Sequence, residues 1–505
     1  MELTSQAQAM LDAQAELWQN TFAFVKSIAL KSAVDLHIAD TIQHHGGAAT
    51  LSQIANKAMV PPSKTPCLSR LMRTLTSAGV FSTQQPPSGG DDCNSEQLLY
   101  TLTPTSSLLV GSRNQAAFTS FAPHLATVSS MFELSGWLQS ELPDPSMFKL
   151  RNGCTAFELA NGDPAFNEAF NDGMVSDTEF IMDIVVKEHG EVFQGISSMI
   201  DVGGGFGAAA HAISKAFPHV RCSVMDLAHV VDKAPDNTDV KYIAGDMFES
   251  VPPTNVIFLK AELCRNTFAF VKSMALKSAV DLHIADTIQH HGGGATLSQI
   301  ANKAMVPPSK IPCLSRLMRV LTHAGVFSTQ ADGGEQLLYT LTPASSLLVG
   351  SRNQAAFTSL ALHPAMVSSL FELSGWLQSE LPDPCMFKLR NGCTAFELAN
   401  GDPAFNEAFN DGMVSDTEFT MDIVVKEYGE VLFQGVSSLI DVAGGLGAAA
   451  HAISKAFPHV RCSVMDLAHV VDKAPDNTDV KYIAGDMFES VPPANVIFLK
   501  VCGSP

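Results

Sequence analysis

The sequence predicts a mainly-α region followed by an α/β region with a parallel sheet, the pair occurring twice in one chain. Three observations carry this expectation. Ala15-Glu16-Leu17 followed by Asn20 to Lys260 returns as Ala261-Glu262-Leu263 followed by Asn266 to Lys500, with few substitutions and two small length changes. Within each copy, apolar residues first keep helical spacing and then form two short strands. Later they gather into short apolar runs separated by helical stretches. A repeat of roughly 240 residues is a duplicated domain set, since solenoid repeats run only about 20 to 50.

In copy one, Phe22, Val25, Ile28, Ala29, Ala33, Leu36 and Ile38 keep helical spacing, and His44-His45-Gly46-Gly47 ends the run. Thr50 to Ala55 predicts a short capped helix with Gln53 at the reciprocal position. Pro66 to Ala78 puts Leu68, Leu71, Met72 and Leu75 on one face and Arg70 and Arg73 on the other. Gly79 to Ser82 and Leu98 to Thr103 then read as strands, which completes a winged-helix pattern. Asn161 to Glu188 is helical. Beyond it Met199 to Val202, Arg221 to Met225, Val240 to Ala244 and Val256 to Leu259 are short apolar runs, with helices over Ala208 to Phe217 and Ala228 to Ala234. Strands without alternation, spaced by helices, belong to a parallel sheet covered on both faces. The boundaries expected are 1–115 and 116–260 for copy one, 261–354 and 355–505 for copy two.

One length change, Gln85 to Ser95 shrinking to Ala331-Asp332-Gly333-Gly334, suits a solvated loop; the other is Leu432. No Pro, Gly or Ser linker separates Lys260 from Ala261, so the copies join abruptly.

Composition narrows function. The chain has 505 residues, 46% hydrophobic and 16% charged, with 31 Lys+Arg against 51 Asp+Glu for a formal charge of -20. That charge repels phosphate backbones and anionic membranes, so nucleic acid is not expected as a partner even though Lys64, Arg70 and Arg73 sit where a winged helix could read DNA. No apolar run reaches the roughly 18 residues of a membrane helix, and Met1 to Asn20 has no signal-peptide pattern. Ten cysteines without a Cys-x-x-Cys pair suit buried thiols in a reducing, cytoplasmic setting. His44-His45 and His290-His291 lack a third ligand at metal spacing, so no metal site is expected.

The chemistry concentrates at strand ends. Asp201-Val202-Gly203-Gly204-Gly205-Phe206-Gly207 closes a strand and opens a helix, where glycines admit a ligand and free amides favour an anion; tight packing alone would also select glycine. Asp226 stands about twenty residues on, as a ribose-binding acid does. Asp246 follows the next strand, with Met247 and Phe248 beside it, which suits an adenine held between an apolar face and a carboxylate.

Asp-Val-Gly-Gly-Gly, Met-Asp-Leu, Gly-Asp-Met-Phe and Phe-Leu-Lys, with Leu30 to Asp40 and Leu68 to Phe81, resemble the plant small-molecule O-methyltransferases of the caffeic acid and flavonoid type. The likeness spans nearly all of each copy. It implies a winged-helix-like dimerisation domain, a Rossmann-like domain that binds S-adenosylmethionine, and a small phenolic acceptor. It also implies roles. Gly203 would approach the methionine part of the cofactor, Asp226 its ribose, and Asp246 and Met247 its adenine, while Lys260 would reach a nearby oxygen. The counterparts in copy two are Asp466, Asp486, Met487 and Lys500, but the leading glycine is Ala443 there. Met174 and Met413 resemble the methionine that clasps the acceptor ring; a helix-face core methionine is the other reading.

The chain departs from that family after Lys260. Family members continue there with Trp-x-x-His-Asp, whose His removes the acceptor proton. Here Ala261-Glu262-Leu263-Cys264 follows, a restart of the repeat in which Cys264 answers to Trp18, and Lys500 is followed by Val501 to Pro505. No catalytic base is therefore expected in either copy, each sheet is a truncated half, and Asn255 to Leu259 and Asn495 to Leu499 are expected to carry an uncovered edge. A non-catalytic dimerising remnant that keeps cofactor affinity is the alternative. In either case the two winged-helix regions are expected to pack together as an internal pseudo-dimer.

Overall fold

The computed structural model describes residues 3–85, 98–111, 114–141, 146–188, 190–226, 228–232, 234, 239–245, 256–258, 269–332, 336–350, 353–380, 385–475 and 479–500. Copy one opens with helix α1 (Ser5–Thr21), which the sequence reading had left without structure, then α2 (Ala23–Asp35) and α3 (Ile38–His44). The run read as one helix breaks here because His37 sits at φ 51, a left-handed conformation that cannot propagate a right-handed helix. Strand β1 (Ala48–Thr50) leads into α4 (Leu51–Lys57), whose capping box is formed by Thr50 and Gln53 as the spacing predicts. Helix α5 (Thr65–Ser77) buries Leu68, Leu71, Met72 and Leu75 and exposes Arg70 and Arg73. Strands β2 (Phe81–Gln84) and β3 (Leu99–Leu102) complete an antiparallel sheet in the order β1-β3-β2. Helices α6 (Pro104–Ser107) and α7 (Ala116–Phe121) follow, and then a long helix, Pro164–Glu188.

The second half of the copy is a parallel sheet of β4 (Ser198–Val202), β5 (Arg221–Asp226), β6 (Lys241–Ala244) and β7 (Val256–Phe258), ordered β6-β5-β4-β7. The helix Ala208–Ala216 returns the chain from β4 to β5. Copy two repeats the pattern, with strands β8 (Gly294–Thr296), β9 (Phe327–Asp332), β10 (Gln336–Leu341), β11 (Ser438–Val442), β12 (Arg461–Asp466), β13 (Lys481–Ala484) and β14 (Val496–Phe498). Its long helix is Pro403–Leu432. Among the described residues strand β14 pairs only with β11, and Ile497 on it is 59% exposed, as expected of an edge strand.

The winged-helix regions do pack on each other, through α2 and its counterpart Ala269–Asp281. Both helices bury most of their residues and leave Lys26 and Lys272 to solvent. First-turn amides of a helix have no partner within it, and here each helix supplies the other's. Phe24 N donates to Ser273 Oγ (3.0 Å) and Phe270 N to Ser27 Oγ (3.1 Å). Phe24 and Ile28 join one buried cluster with Phe270 and Met274.

A second exchange runs outward. Helix Leu134–Gln139 of copy one places Leu138, fully buried, in the core of copy two's winged-helix region, and Leu377 of helix Leu373–Gln378 enters the core of copy one's. Lys64 donates to the Trp376 carbonyl and to Ser379 Oγ (2.6 Å), with its Nζ 4.5 Å from the Trp376 ring centre. Lys310 does the same with Trp137 and Ser140 (2.9 Å). Lys64 thus faces inward, not toward a nucleic acid, and burial lowers its pKa.

Leu138→Ala or Leu377→Ala will destabilise the chain by about 2–5 kcal/mol in urea unfolding. Hydrogen exchange will quicken in the opposite copy's winged-helix region. A protease site engineered between Lys260 and Ala261 will yield two fragments that still co-elute in gel filtration, and separate peaks would refute the internal pairing.

Candidate functional site

The site is built where β4 and β11 end. Gly203 stands at φ 68 and Ala443, its counterpart, at φ 54, so the turn needs a left-handed residue that glycine adopts freely and alanine does not. Among the described residues, its two chain neighbours aside, nothing lies within 4 Å of where a Cβ on Gly203 would be, so that side of the loop is open. Ala443 puts a methyl group at the corresponding point. The next glycine answers a different demand: a Cβ on Gly444 would come within 2.6 Å of the Asp441 carboxylate, and one on Gly204 equally close to Asp201.

Those aspartates, given no role in the sequence reading, lie under the loops and are almost wholly buried. The only sequence signal was an acid inside an otherwise apolar strand. Burial pushes the Asp441 carboxyl up to about 7; neighbouring Asp466 adds to the rise, while the Ala450 amide and Lys500 oppose it. A second missed support holds the loop from above. Tyr482, on β13, donates to Leu446 O (2.7 Å) and lies 3.0 Å from His451 Nε2, as Tyr242 does with Phe206 O (2.7 Å) and His211 (3.0 Å). These partners lie 31 and 36 residues apart, so no local pattern announces them.

Asp226 ends β5, and its Oδ2 accepts Gly205 N at 2.8 Å; Asp466 ends β12 and accepts Gly445 N at 2.9 Å and Leu467 N at 2.7 Å. The structure therefore brings the glycine loop and the ribose candidate together in both copies. Beyond β13, Asp486 Oδ1 accepts Phe488 N (2.9 Å), and Met487 and Phe488 are exposed beside it. Their counterparts Asp246 and Met247 lie outside the described residues, as do Lys260 and Cys264. Lys500 is engaged by the long helix: its Nζ donates to Asp416 Oδ2 (2.6 Å) and Thr417 Oγ1 (2.8 Å). Met174 and Met413 are half-buried on the long helices, and their carbonyls accept the hydroxyls of Thr178 (2.6 Å) and Thr417 (2.7 Å).

Among the described residues no three His, Cys, Asp or Glu side chains stand together as metal ligands, and no helix is long and apolar enough to cross a membrane. His45 Nδ1 bonds Thr41 O (2.8 Å) at the end of α3. Of the described cysteines, Cys222 and Cys462 are buried, with burial raising both thiols to about 11; the others are half-buried, more open than the sequence reading expected.

A glycine turn at positive φ closing a central parallel strand, with an acid at the next strand end gripping it, is the geometry of a nucleotide-type cofactor cleft. The family comparison is specific. The O-methyltransferase domain matches residues 131–301 and 371–502, and the O-methyltransferase dimerisation domain matches 18–112 and 264–351. The chain belongs to the O-methyltransferase family. It is 56% identical over 270 residues to O-methyltransferase ZRP4 of Zea mays, covering 52% of this chain and 74% of that one. It is 43% identical over 273 residues to 5-pentadecatrienyl resorcinol O-methyltransferase of Sorghum bicolor, covering 51% and 73%. Trans-resveratrol di-O-methyltransferase of Vitis vinifera is 38% identical over 259 residues, covering 50% and 72%. S-adenosylmethionine is the cofactor this membership implies. The loops fit it, with open space above Gly203 and an oriented carboxylate at each β5-type strand end.

Ala443→Gly relieves the left-handed strain and will stabilise copy two by about 1 kcal/mol in urea unfolding. Asp441 binds its proton more tightly folded than unfolded, so its contribution to stability is fully present below the unfolded pKa and is lost as pH rises toward 7. Asp441→Asn will therefore flatten the pH dependence of stability between pH 4 and 7, by up to about 1.4 kcal/mol per pH unit. An unchanged slope would show that Asp441 stays ionised.

Proposed function

We propose that each copy binds S-adenosylmethionine at its glycine loop and that the chain methylates a small phenolic hydroxyl. The observation that carries this reading is the loop itself, held open at positive φ and tied to Asp226 or Asp466. The names of two relatives, for a resorcinol and for resveratrol, support a phenol as acceptor.

When bound, the cofactor supplies an electrophilic methyl group on sulfur. The chain's part is to hold and orient. Asp226 and Asp466 keep acceptor lone pairs for ribose hydroxyls while their other contacts fix them to the loop. Asp246 and Asp486 would take the adenine amine, and Met247 and Met487 would pack on its ring. Lys260 and Lys500 act as positioning residues; Lys500 joins the end of β14 to the helix that carries Met413, beside which the acceptor ring packs, as beside Met174 in copy one. Self-association through the winged-helix regions is supplied within the chain by the paired helices.

A second reading rests on a specific feature of copy one. A phenol of pKa near 10 must lose a proton as its oxygen attacks, and a positioned base contributes about 10²- to 10⁴-fold. After Lys260 the chain restarts the repeat, so the stretch in which relatives of this type place their His is taken by the start of copy two. Copy one is then a cofactor-binding remnant with slow turnover.

Calorimetric titration with S-adenosylmethionine will give tighter binding at copy one, which keeps Gly203, so Asp226→Ala will cost more heat at low ligand than Asp466→Ala. No binding by the parent chain would sink the cofactor assignment. A radiolabelled-methyl assay over a panel of phenols, run on the Asp466→Ala variant so that copy one alone is read, is expected to show transfer at least about 10²-fold below that of an enzyme with a positioned base. Rapid turnover would overturn the remnant reading and leave the cofactor assignment standing.

A further inference from the structure

The two copies differ in what covers the long helix. In copy two, α1 lies across it: Ala7, Ala13 and Leu17 share a buried cluster with Leu347, Phe419 and Ile423. Thr4, the N-cap of α1, donates through its hydroxyl and amide to Glu427 (2.7 and 3.0 Å). Gln14 Nε2 donates to Oε1 of Gln354, which is fully buried (3.5 Å).

In copy one the residues that answer to Ser5–Gln14 are 251–260, of which the described ones, 256–258, form β7, and no α1-type helix lies on the long helix among the described residues. The matching surface shows the loss at three points. Ile184 is 38% exposed where Ile423 is 7% exposed. Thr105 is exposed where Ala344 is buried. Gln115 is 5% exposed, and its Nε2 donates to Ser176 O (2.7 Å) just as Gln354 does to Ser415 O (2.9 Å). Yet Gln115 Oε1 has no hydrogen-bond partner among the described residues, whereas its counterpart receives Gln14. A buried amide oxygen without a donor is costly and rare in native structures.

We propose that the surface formed by α6, α7 and the helix Pro164–Glu188 of copy one docks an α1-type helix supplied by another protein chain. The occupant is defined by what fills the equivalent place in copy two. It is an amphipathic helix with small apolar residues at the spacing of Ala7 and Ala13, and a glutamine at the position of Gln14 whose amide reaches Gln115 Oε1. This inference rests on the difference between the copies and not on the methyltransfer reading.

The probe is a fluorescent peptide of residues 3–16, stapled between positions 8 and 12, which face solvent in α1. Titrated against the full chain and followed by anisotropy, it will bind saturably at one site per chain. Ile184→Glu and Thr105→Arg change exposed positions, so both variants will keep the parent's circular dichroism melt; each will weaken binding at least tenfold. Replacing Gln14 by Leu in the peptide will weaken it too. Absence of saturable binding would overturn the proposal. Binding that both chain variants leave unchanged would also overturn it, since the peptide would then be displacing α1 from copy two.

Discussion

Everything else in the molecule hangs on two largely buried helices, Ala23–Asp35 and Ala269–Asp281, each of which needs the other. A helix that buries most of its surface needs a partner to cover it, and its first amides cannot be left bare in an apolar cluster. The reciprocal bonds from Phe24 N to Ser273 and from Phe270 N to Ser27 answer both demands at one place. Once that contact is made, the helices bearing Trp137 and Trp376 cross to the opposite copy and close the cores there with Leu138 and Leu377. The unit of folding is therefore the pair of copies.

The cofactor loops depend on a more local constraint. A buried acid under each loop forbids a side chain on Gly204 or Gly444, and a tyrosine on the edge strand two places along the sheet holds the loop carbonyl in place. The turn is over-determined, so Ala443 keeps the left-handed conformation that it would not choose alone. Copy two has retained the shape of the site while losing the residue that makes the shape easy.

What the sequence disclosed and what it hid divide along the range of the interactions. The Thr50–Gln53 capping box, the buried face of α5 and the positions of the parallel strands all follow from neighbours a few residues apart. The glycine loop and its paired acids were legible because strand ends concentrate such residues. His37 was not, since nothing in its surroundings demands a left-handed turn. Lys64 read as a surface base on a winged helix, yet its partner Trp376 lies 312 positions away. The distinct fates of Gln115 and Gln354 were hidden for the opposite reason: identical surroundings in sequence acquire different neighbours in space.

The crossing helices also set a timetable for synthesis. A chain grows at about 5–20 residues per second, so the 312 residues between Lys64 and Trp376 take about 15–60 s to make. Through that interval the first winged-helix region has been made but lacks the leucine and tryptophan that seal it, and its apolar groove faces water or a chaperone. Two chains at that stage on neighbouring ribosomes present each other with the same groove and, moments later, the same helix. Whether the helix returns to its own chain is then decided by the tether, which raises its local concentration above that of any neighbour's.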